Sequence, residues 1–212
     1  MTMSREEGRF IVIEGGEGAG KSTAQKYLLD LLESCGVEVV LTREPGGTEL
    51  AEMIRTALLS KQVEAPVPMA ELLLVFAARA QHLELVIEPA LSRGAWVLCD
   101  RFTDATYAYQ GFARGMSLSD IAALENMVQR GRHPDHVIVM DLPPELGLMR
   151  AANRGALDRF ESEESAFYAR VREGYLARAH AAPERYAVVD ASQSLEQVQC
   201  MLAGIVGQWQ VT

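Results

Sequence analysis

The most informative stretch of the sequence is Gly15-Gly16-Glu17-Gly18-Ala19-Gly20-Lys21-Ser22. It matches the pattern G-x-x-x-x-G-K-[ST] of the phosphate-binding loop. The residues before it, Arg9 to Glu14, form an apolar run typical of a strand, and a helical pattern continues from Thr23. We therefore predict a strand–loop–helix unit in which backbone N–H groups and the helix N-terminus hold a polyphosphate. The alternative is a glycine-rich turn that binds no ligand.

The chemistry of this loop indicates a nucleoside triphosphate. Lys21 is long enough to reach the terminal phosphates, and the Ser22 hydroxyl is a ligand for Mg²⁺. The predicted nucleotide-binding set is Gly15, Gly16, Glu17, Gly18, Ala19, Gly20, Lys21, Ser22 and Thr23. The loop does not identify the group that receives the phosphate.

Length, charge and composition narrow the class of protein. The 212 residues suit one domain, numbered 1–212, with at most a small lid. A net charge of −9 argues against a general nucleic-acid binder, which needs a basic face. The polar N-terminus contains no signal core, and no apolar run is long enough to cross a membrane, so we expect a cytoplasmic protein. The three cysteines are widely spaced, and we expect them to be reduced and mostly buried.

Short apolar runs alternate with helical patterns along the chain. This order predicts an α/β fold, a parallel five-stranded sheet with helices on both faces. Because the runs are nearly continuously apolar, we expect strands buried on both faces. Ligands of such sheets bind beyond the carboxyl ends of the strands. The predicted strands are Phe10–Glu14, Val37–Thr42, Ala95–Cys99, His136–Met140 and Tyr186–Asp190.

Three helices are predicted from periodicity and capping signals. A long apolar pattern extends from about Met69 to Ser92. Ser117 precedes another pattern with Asp120 three residues on, which is typical of a helix N-terminus. An amphipathic helix from Leu195 ends the chain.

Charged residues follow the second and third predicted strands. Arg43 and Glu44 come directly after the second strand, where a turn alone does not need them, and solvated loop charges are the alternative. Asp100 and Arg101 follow the third strand. An acid at that position suits Mg²⁺, and a planar guanidinium suits an acceptor phosphate. The alternative is an Asp–Arg surface pair.

Phe76 and Arg79 share one face of the long predicted helix, three residues apart. An arginine on an apolar stripe requires partners. A ring stacked on a base and a guanidinium donating to the base carbonyl would explain the pair. Plain packing with a salt bridge would explain it as well.

Two further segments follow the fourth and fifth strands. Arg150, Arg154 and Arg159 surround a turn that we interpret as a mobile lid at about 148–162, closing over the phosphates. The alternative is a solvated basic turn. Small polar residues at 190–194 either border an adenine or cap the last helix. The four histidines show no metal-ligand spacing.

Taken together, these residues resemble the bacterial thymidylate kinases (dTMP kinases) of the P-loop nucleoside monophosphate kinase family. The resemblance extends from about Phe10 to the last helix, and the order and spacing of its motifs make it specific. The motifs are Phe10 to Thr23, Thr42-Arg43-Glu44-Pro45-Gly46-Gly47-Thr48, Phe76-Ala77-Ala78-Arg79, Asp100-Arg101-Phe102, Tyr107-Ala108-Tyr109-Gln110-Gly111 and the lid around Arg150 to Arg159.

The resemblance implies reversible transfer of the ATP γ-phosphate to dTMP with Mg²⁺, in dTTP biosynthesis. By position, Phe76 would stack on thymine, Arg79 would bind its O4 edge, and Pro45 would border the base. Thr106 and Gln110 would line the thymine pocket, and Tyr109 would exclude a ribose 2′-hydroxyl. Glu44 belongs to the same substrate motif. Arg43, Arg55 and Arg101 would surround the dTMP phosphate, Glu17 would approach the acceptor, and Asp100 would lie near Mg²⁺.

One departure within the family affects the catalytic set. Gly18 stands where some members carry an arginine, which indicates that the catalytic arginines lie in the lid. The implied catalytic residues are Lys21, Arg101, Arg154, Arg159 and Glu17, with Arg150 beside the adenine. Phe102 replaces a common Tyr or His and leaves the Asp–Arg pair intact. The family also implies a homodimer, formed through helices such as that from Met69 to Ser92.

Two other functions stay open from the sequence. A related kinase could use another small acceptor such as dUMP, which shares the keto group of thymine. A nucleotide-switched regulatory ATPase would need neither the lid arginines nor Arg101. An Asn-Lys-x-Asp motif for guanine recognition is absent from the sequence.

Overall fold

The strand–loop–helix unit predicted at Gly15 lies at the centre of a parallel sheet. The computed structural model describes residues 8–61, 64–152, 159–160 and 163–209. Within these ranges the sheet has five strands in the order β2-β3-β1-β4-β5, and every neighbouring pair is parallel. Because the strand order reverses beside β1, a ligand site is expected at its carboxyl end. The strands are β1 (Phe10–Gly15), β2 (Val39–Arg43), β3 (Trp96–Asp100), β4 (His136–Asp141) and β5 (Tyr186–Asp190).

The helices cover both faces of this sheet, as the alternating pattern predicted. The helices are α1 (Lys21–Ser34), α2 (Glu49–Leu59), α3 (Pro68–His82), α4 (Glu88–Ser92), α5 (Thr103–Thr106), α6 (Leu118–Gln129), α7 (Pro144–Ala152), α8 (Ser165–Ala181) and α9 (Leu195–Gly207). Two wide π-helical turns occur as well, at Leu83–Ile87 and at Tyr107–Ala113.

Side chains of β1 alternate between two apolar clusters, because successive residues of a strand point to opposite faces. Phe10 and Val12 pack with residues of the first π-turn, α4 and α8. Ile11 and Ile13 pack with α1 and α9. The central strand is therefore fixed from both sides, and the loop that follows it begins from a rigid base.

The long helix predicted from Met69 to Ser92 is interrupted. A π-turn separates α3 from α4, and the Glu88 N–H bonds to the Leu83 carbonyl five residues back. Pro89 explains the position of this widening, since it has no N–H to donate to the preceding turn. The helical pattern was predicted correctly, and the local unwinding was not.

Two expectations about burial were wrong. β2 and β5 are edge strands, so Leu41 and Val188 are about half exposed, at 41% and 48%. All three cysteines are free, but Cys35 and Cys200 are exposed and Cys99 alone is buried. Both errors have one cause, because apolar composition does not reveal which elements lie at the edge of a fold.

The capping predictions are confirmed. The Ser117 side chain accepts from the Asp120 N–H, and Ser194 forms a capping box with Gln197. Capping of α9 is thus a sufficient explanation for Ser194. Within the described ranges, none of the helices has the length and apolar character that a membrane crossing requires.

Candidate active site

A cavity of about 710 Å³ opens where β1, β2 and β3 end. Its wall combines the phosphate-binding loop with residues that follow β2 and β3 and with residues of α2 and α3. The wall includes Glu17 to Thr23, Glu44, Pro45, Arg55, Val75, Arg79, Asp100, Arg101, Phe102, Thr106, Tyr109, Gln110, Arg150 and Phe160. Most of the predicted site residues therefore face a single space.

The loop has the backbone geometry that anion binding needs. Gly18 and Gly20 have φ values of 69° and 84°, a region that glycine occupies without strain. Gly20 is the N-cap of α1 and has no side chain with which to cap it. The first N–H groups of α1 are therefore available to a bound phosphate.

Lys21 lies inside the mouth of the loop. Its Nζ donates to the carbonyls of Gly15 and Gly16, at 3.1 Å and 2.9 Å. Burial and the positive charge of Arg101 lower the pKa of Lys21, and nearby carboxylates oppose this shift. The loop carbonyls hold the ammonium at the position from which it can reach a terminal phosphate.

Helix α7 supports the loop through a contact that the sequence did not reveal. A Cβ on Gly147 would lie 2.4 Å from the Glu17 carbonyl oxygen. A Cβ on Gly18 would lie 2.1 Å from the Gly147 carbonyl oxygen. A glycine inside an otherwise helical pattern was the available signal, because such a residue needs a packing reason.

Arg101 joins the loop to the acceptor side of the cavity. Its guanidinium donates to the Gly15 carbonyl at 3.0 Å, to the Tyr175 hydroxyl at 2.9 Å and to the Glu17 carboxylate. The Tyr109 hydroxyl donates to the same Glu17 carboxylate at 3.0 Å, and its ring lies beneath Arg101. Arg101 is therefore fixed in a position between the two halves of the site.

The turn that carries Arg101 is strained and is clamped by Glu14. Arg101 has a φ of 68°, in the left-handed region that non-glycine residues rarely adopt. The Glu14 carboxyl, fully buried, accepts from the N–H groups of Phe102 at 2.8 Å and Ala105 at 3.3 Å. Burial, together with the negative charge of Asp104, raises the pKa of Glu14 to about 8. This role was not predicted from the sequence, although Glu14 is an acid at the end of an apolar strand.

Asp100 and Ser22 both lie on the wall of this cavity, and each carries a side-chain oxygen that suits a metal ligand. The Asp100 Oδ1 is buried and has no hydrogen-bond partner in the described part of the chain. The described residues contain no group of three or more His, Cys, Asp or Glu side chains that could hold a metal ion without further ligands. This arrangement fits Mg²⁺, which is commonly held by one or two carboxylates together with waters and substrate phosphates.

Arg79 is buried in a hydrogen-bond network on the α3 side of the cavity. Its Nε donates to Glu44 at 2.7 Å, and its Nη2 donates to the Phe102 carbonyl and to Thr106, both at 3.0 Å. The salt bridge expected from the sequence is present. The remaining Nη1 is buried and has no partner among the described residues, and Arg79 itself belongs to the cavity wall.

The base-stacking role predicted for Phe76 is not supported by this geometry. Phe76 packs with Leu72, Tyr107 and Ile121 and does not belong to the described wall of the cavity. Its neighbour Val75 lies on that wall instead. Both residues belong to the same apolar stripe of α3, and periodicity alone did not distinguish them.

Thr106 at the end of α5 lies on the cavity wall, together with Tyr109 and Gln110 of the second π-turn. The Gln110 Nε2 donates at 2.8 Å to the carboxylate of Glu71, which is buried. Glu71 was not among the site residues predicted from the sequence. It is an isolated acid in the apolar first turns of α3, and this feature could have indicated a buried role.

Two of the three predicted acceptor-phosphate arginines lie on the wall. Arg55 and Arg101 face the cavity, and Arg55 also donates to the Pro45 carbonyl at 3.0 Å. Arg43 does not. It pairs with Glu52 at 2.9 Å and lines an adjoining depression of about 460 Å³. Burial and the nearby positive charge of Arg43 lower the pKa of Arg55, so Arg43 lies near that residue and its contact with the acceptor phosphate stays a prediction.

The lid arginines have different surroundings. Arg150 lies on the cavity wall and donates to the Ala191 carbonyl, just after β5, at 3.0 Å. Arg159 binds Glu71 at 2.6 Å and the Leu58 carbonyl at 2.7 Å, and it is not part of the described wall. Arg154 lies outside the described residues. The predicted catalytic position of Arg159 is thus not supported, because buried Glu71 already pairs its charge.

Known proteins of one family resemble this chain over nearly its full length. The family model for thymidylate kinase matches residues 13–202. A thymidylate kinase of Pseudomonas fluorescens is 61% identical over 95% of this chain and 96% of its own length. One of Pseudomonas putida is 61% identical over 94% and 97%. The crystal structure of a thymidylate kinase from Ehrlichia chaffeensis has a TM-score of 0.77 at 32% identity, covering 96% of this chain and all of that one. The chain belongs to the thymidylate kinase family.

Proposed function

We propose that this protein transfers the γ-phosphoryl group of ATP to dTMP, giving dTDP and ADP. The observation that carries the proposal is the shared cavity, whose wall includes both the phosphate-binding loop and the Arg79–Gln110 region. A donor held by the loop and an acceptor held by Arg79 would meet at Arg101. Such placement is most of what phosphoryl transfer asks of a protein.

On the donor side, residues 15–23 hold the triphosphate and Arg150 lies beside the adenine. Lys21 neutralises the terminal phosphates. Ser22 and Asp100 would hold Mg²⁺, which supplies charge neutralisation at the transferring group. The buried, unpaired Asp100 Oδ1 supports this assignment.

On the acceptor side, Arg101 and Arg55 hold the dTMP phosphate, which is itself the nucleophile and needs no strong base. Glu17 orients Arg101 and Tyr109 through its carboxylate. Tyr109 closes the sugar site against a 2′-hydroxyl. Arg79 and Gln110 bind the base, with Val75 and Pro45 on the same wall.

We also propose that the chain is a single domain with a lid at about 148–162 and that it forms a homodimer. Exposed apolar side chains support a partner surface on α3 and α6. Met69 and Leu73 of α3 are 47% and 49% exposed, and Met127 of α6 is 71% exposed. Sedimentation at micromolar concentration tests this proposal, and a monomer would contradict it.

The activity is tested by ADP release in a coupled assay with dTMP, dUMP, dCMP and dGMP offered separately. We expect dTMP to give the highest kcat/KM. Preference for dUMP would identify the related kinase. Hydrolysis of ATP that no acceptor stimulates would favour a nucleotide-switched ATPase and contradict the proposal.

A further inference from the structure

Glu71 occupies an unusual position between the cavity and the lid segment. Its side chain is 1% exposed, and both of its oxygens are used. Oε1 accepts from Gln110 Nε2 at 2.8 Å and from Arg114 Nε at 2.7 Å. Oε2 accepts from Arg159 Nη2 at 2.6 Å. Two guanidinium groups therefore fix the carboxylate in place.

This fixed carboxylate determines which way the Gln110 amide points. A carboxylate bonded to two arginines only accepts hydrogen bonds, so the amide must turn its NH₂ group toward it. The carbonyl Oε1 is then the amide atom left for a ligand, and Gln110 lies on the cavity wall. Without Glu71, either orientation of the amide would be available.

A second polar atom with a defined hydrogen-bonding sense lies on α3. Arg79 Nη1 is buried, lacks a partner among the described residues and can only donate. The base site therefore offers one donor, from Arg79, and one acceptor, from Gln110. A keto pyrimidine matches this pair, because O4 accepts and the adjacent N3–H donates. A 4-amino pyrimidine mismatches both, because its amino group donates and its N3 accepts.

We infer that Glu71 determines acceptor specificity by holding the Gln110 carbonyl toward the base, so that the site takes keto pyrimidines and rejects amino pyrimidines. The inference rests on the proposed function and deepens it. Glu71 is buried and is not part of the described cavity wall, so it acts through Gln110 and is a positioning residue. Sites built on fixed polar groups reject a mismatched partner strongly, because the mismatch leaves buried polar atoms unpaired.

The test compares kcat/KM for dTMP and dCMP in Glu71→Gln. The amide introduced at this position can donate as well as accept, so Gln110 becomes free to turn. We expect the dTMP-to-dCMP ratio to fall by about tenfold or more, mainly through a gain with dCMP. The ratio is insensitive to the fraction of folded enzyme and to a general loss of rate, which a purely structural role would change.

Glu163→Gln is the matched control. Glu163 accepts from the Nη2 of Arg114 at 2.9 Å, whereas Glu71 accepts from the Nε of the same guanidinium. Glu163 is not part of the described cavity wall. We expect this variant to keep the wild-type ratio. An unchanged ratio in Glu71→Gln, or an equal fall in both variants, would overturn the inference.

The wild-type protein gives a second measurement that needs no variant. The Nε2 protons of Gln110 are bonded to a buried carboxylate, so they should exchange with solvent far more slowly than those of exposed Gln208. Equal exchange rates would overturn the inference even if Glu71→Gln fails to fold. If dTMP does not stimulate ADP release by the wild type, the proposed function is contradicted instead. The failure of the inference and the failure of the proposed function are therefore distinguishable.

Discussion

Arg79 carries a buried positive charge, and the bonds that compensate its burial also position it to recognise a base. Its bonds to Glu44, Phe102 and Thr106 fix the guanidinium, and the rings of Phe76 and Phe102 enclose it at 4.8 Å and 4.9 Å. The planar guanidinium donates several hydrogen bonds in fixed directions at once, and the ammonium group of a lysine cannot do this. The unpaired Nη1 is held in position by the bonds made by the other nitrogens.

Arg79→Lys should therefore raise the KM for dTMP by about tenfold or more, because a hydrogen bond to a charged group contributes about 1.5–3 kcal/mol. The KM for ATP should stay near the wild-type value, since the phosphate-binding loop is not touched. Steady-state kinetics with each substrate varied in turn measures both. Equal increases in the two KM values would show that Arg79 supports the whole site rather than the acceptor.

Single residues also show where sequence analysis succeeds and fails. Arg79 was identifiable, because an arginine on an apolar helix stripe requires partners. Phe76 was assigned to the base because it shares a helix face with Arg79 and matches the family's motif, but Val75 lies on the wall instead. Glu71 and Glu14 were missed, although each is an acid within an apolar stretch, because the sequence does not show which partners a buried acid has.

At the scale of elements, α7 and the phosphate-binding loop meet through backbone rather than side chains. Gly147 lies within α7, where alanine would normally stabilise a helix. Here a Cβ would meet the Glu17 carbonyl. The loop and the helix that leads toward the lid are thus coupled by close approach.

Gly147→Ala should destabilise the protein by about 1–3 kcal/mol through overpacking, and it should raise the KM for ATP. Gly204→Ala is the matched control, because Gly204 is an exposed residue of α9 whose Cβ would meet nothing within 4 Å. That change should be neutral or slightly stabilising. Thermal unfolding measures both, and equal melting temperatures in the two variants would contradict the contact.

The lid arginines should differ in their kinetic effect. Arg154→Ala should lower kcat by about two orders of magnitude, as expected for an arginine that stabilises a transferring phosphoryl group. Arg159→Ala should lower kcat less, because Glu71 and Leu58 already bind that guanidinium. Single-turnover rates compare the two variants, and a larger loss in Arg159→Ala would reverse the assignment.

For the molecule as a whole, the strand-end rule predicted more than any single motif. It placed Glu44, Asp100 and Arg101 at one edge of the sheet before the strand order was known, and all three lie on one cavity wall. The order of the strands, the edge positions of β2 and β5 and the two π-turns were not predictable. These features depend on contacts between distant segments, which local patterns do not encode.

Buried Glu14 should make stability depend on pH. Its pKa rises from 4.5 to about 8 on folding, so the folded protein holds a proton that the unfolded chain releases. Protonated Glu14 therefore adds its full share to the free energy of unfolding below about pH 4.5, and this share is lost as the pH rises through about 8. Each unit of difference between the folded and unfolded pKa corresponds to about 1.4 kcal/mol. Glu14→Gln should flatten the fall in melting temperature across that interval, and scanning calorimetry measures the slope.

The control for this prediction is Glu33→Gln on the exposed side of α1. It removes a carboxylate of the same type without removing a buried proton. The wild-type pH slope should persist in this variant. Identical slopes in Glu14→Gln and Glu33→Gln would show that Glu14 does not hold the proton.

In the proposed function, one cavity holds the ATP and dTMP sites side by side. Adenosine and thymidine joined 5′ to 5′ through a polyphosphate chain would occupy both sites at once, and inhibition kinetics of this conjugate test the claim most directly. We predict competitive inhibition against ATP and also against dTMP. Inhibition that is noncompetitive with respect to either substrate would contradict the account.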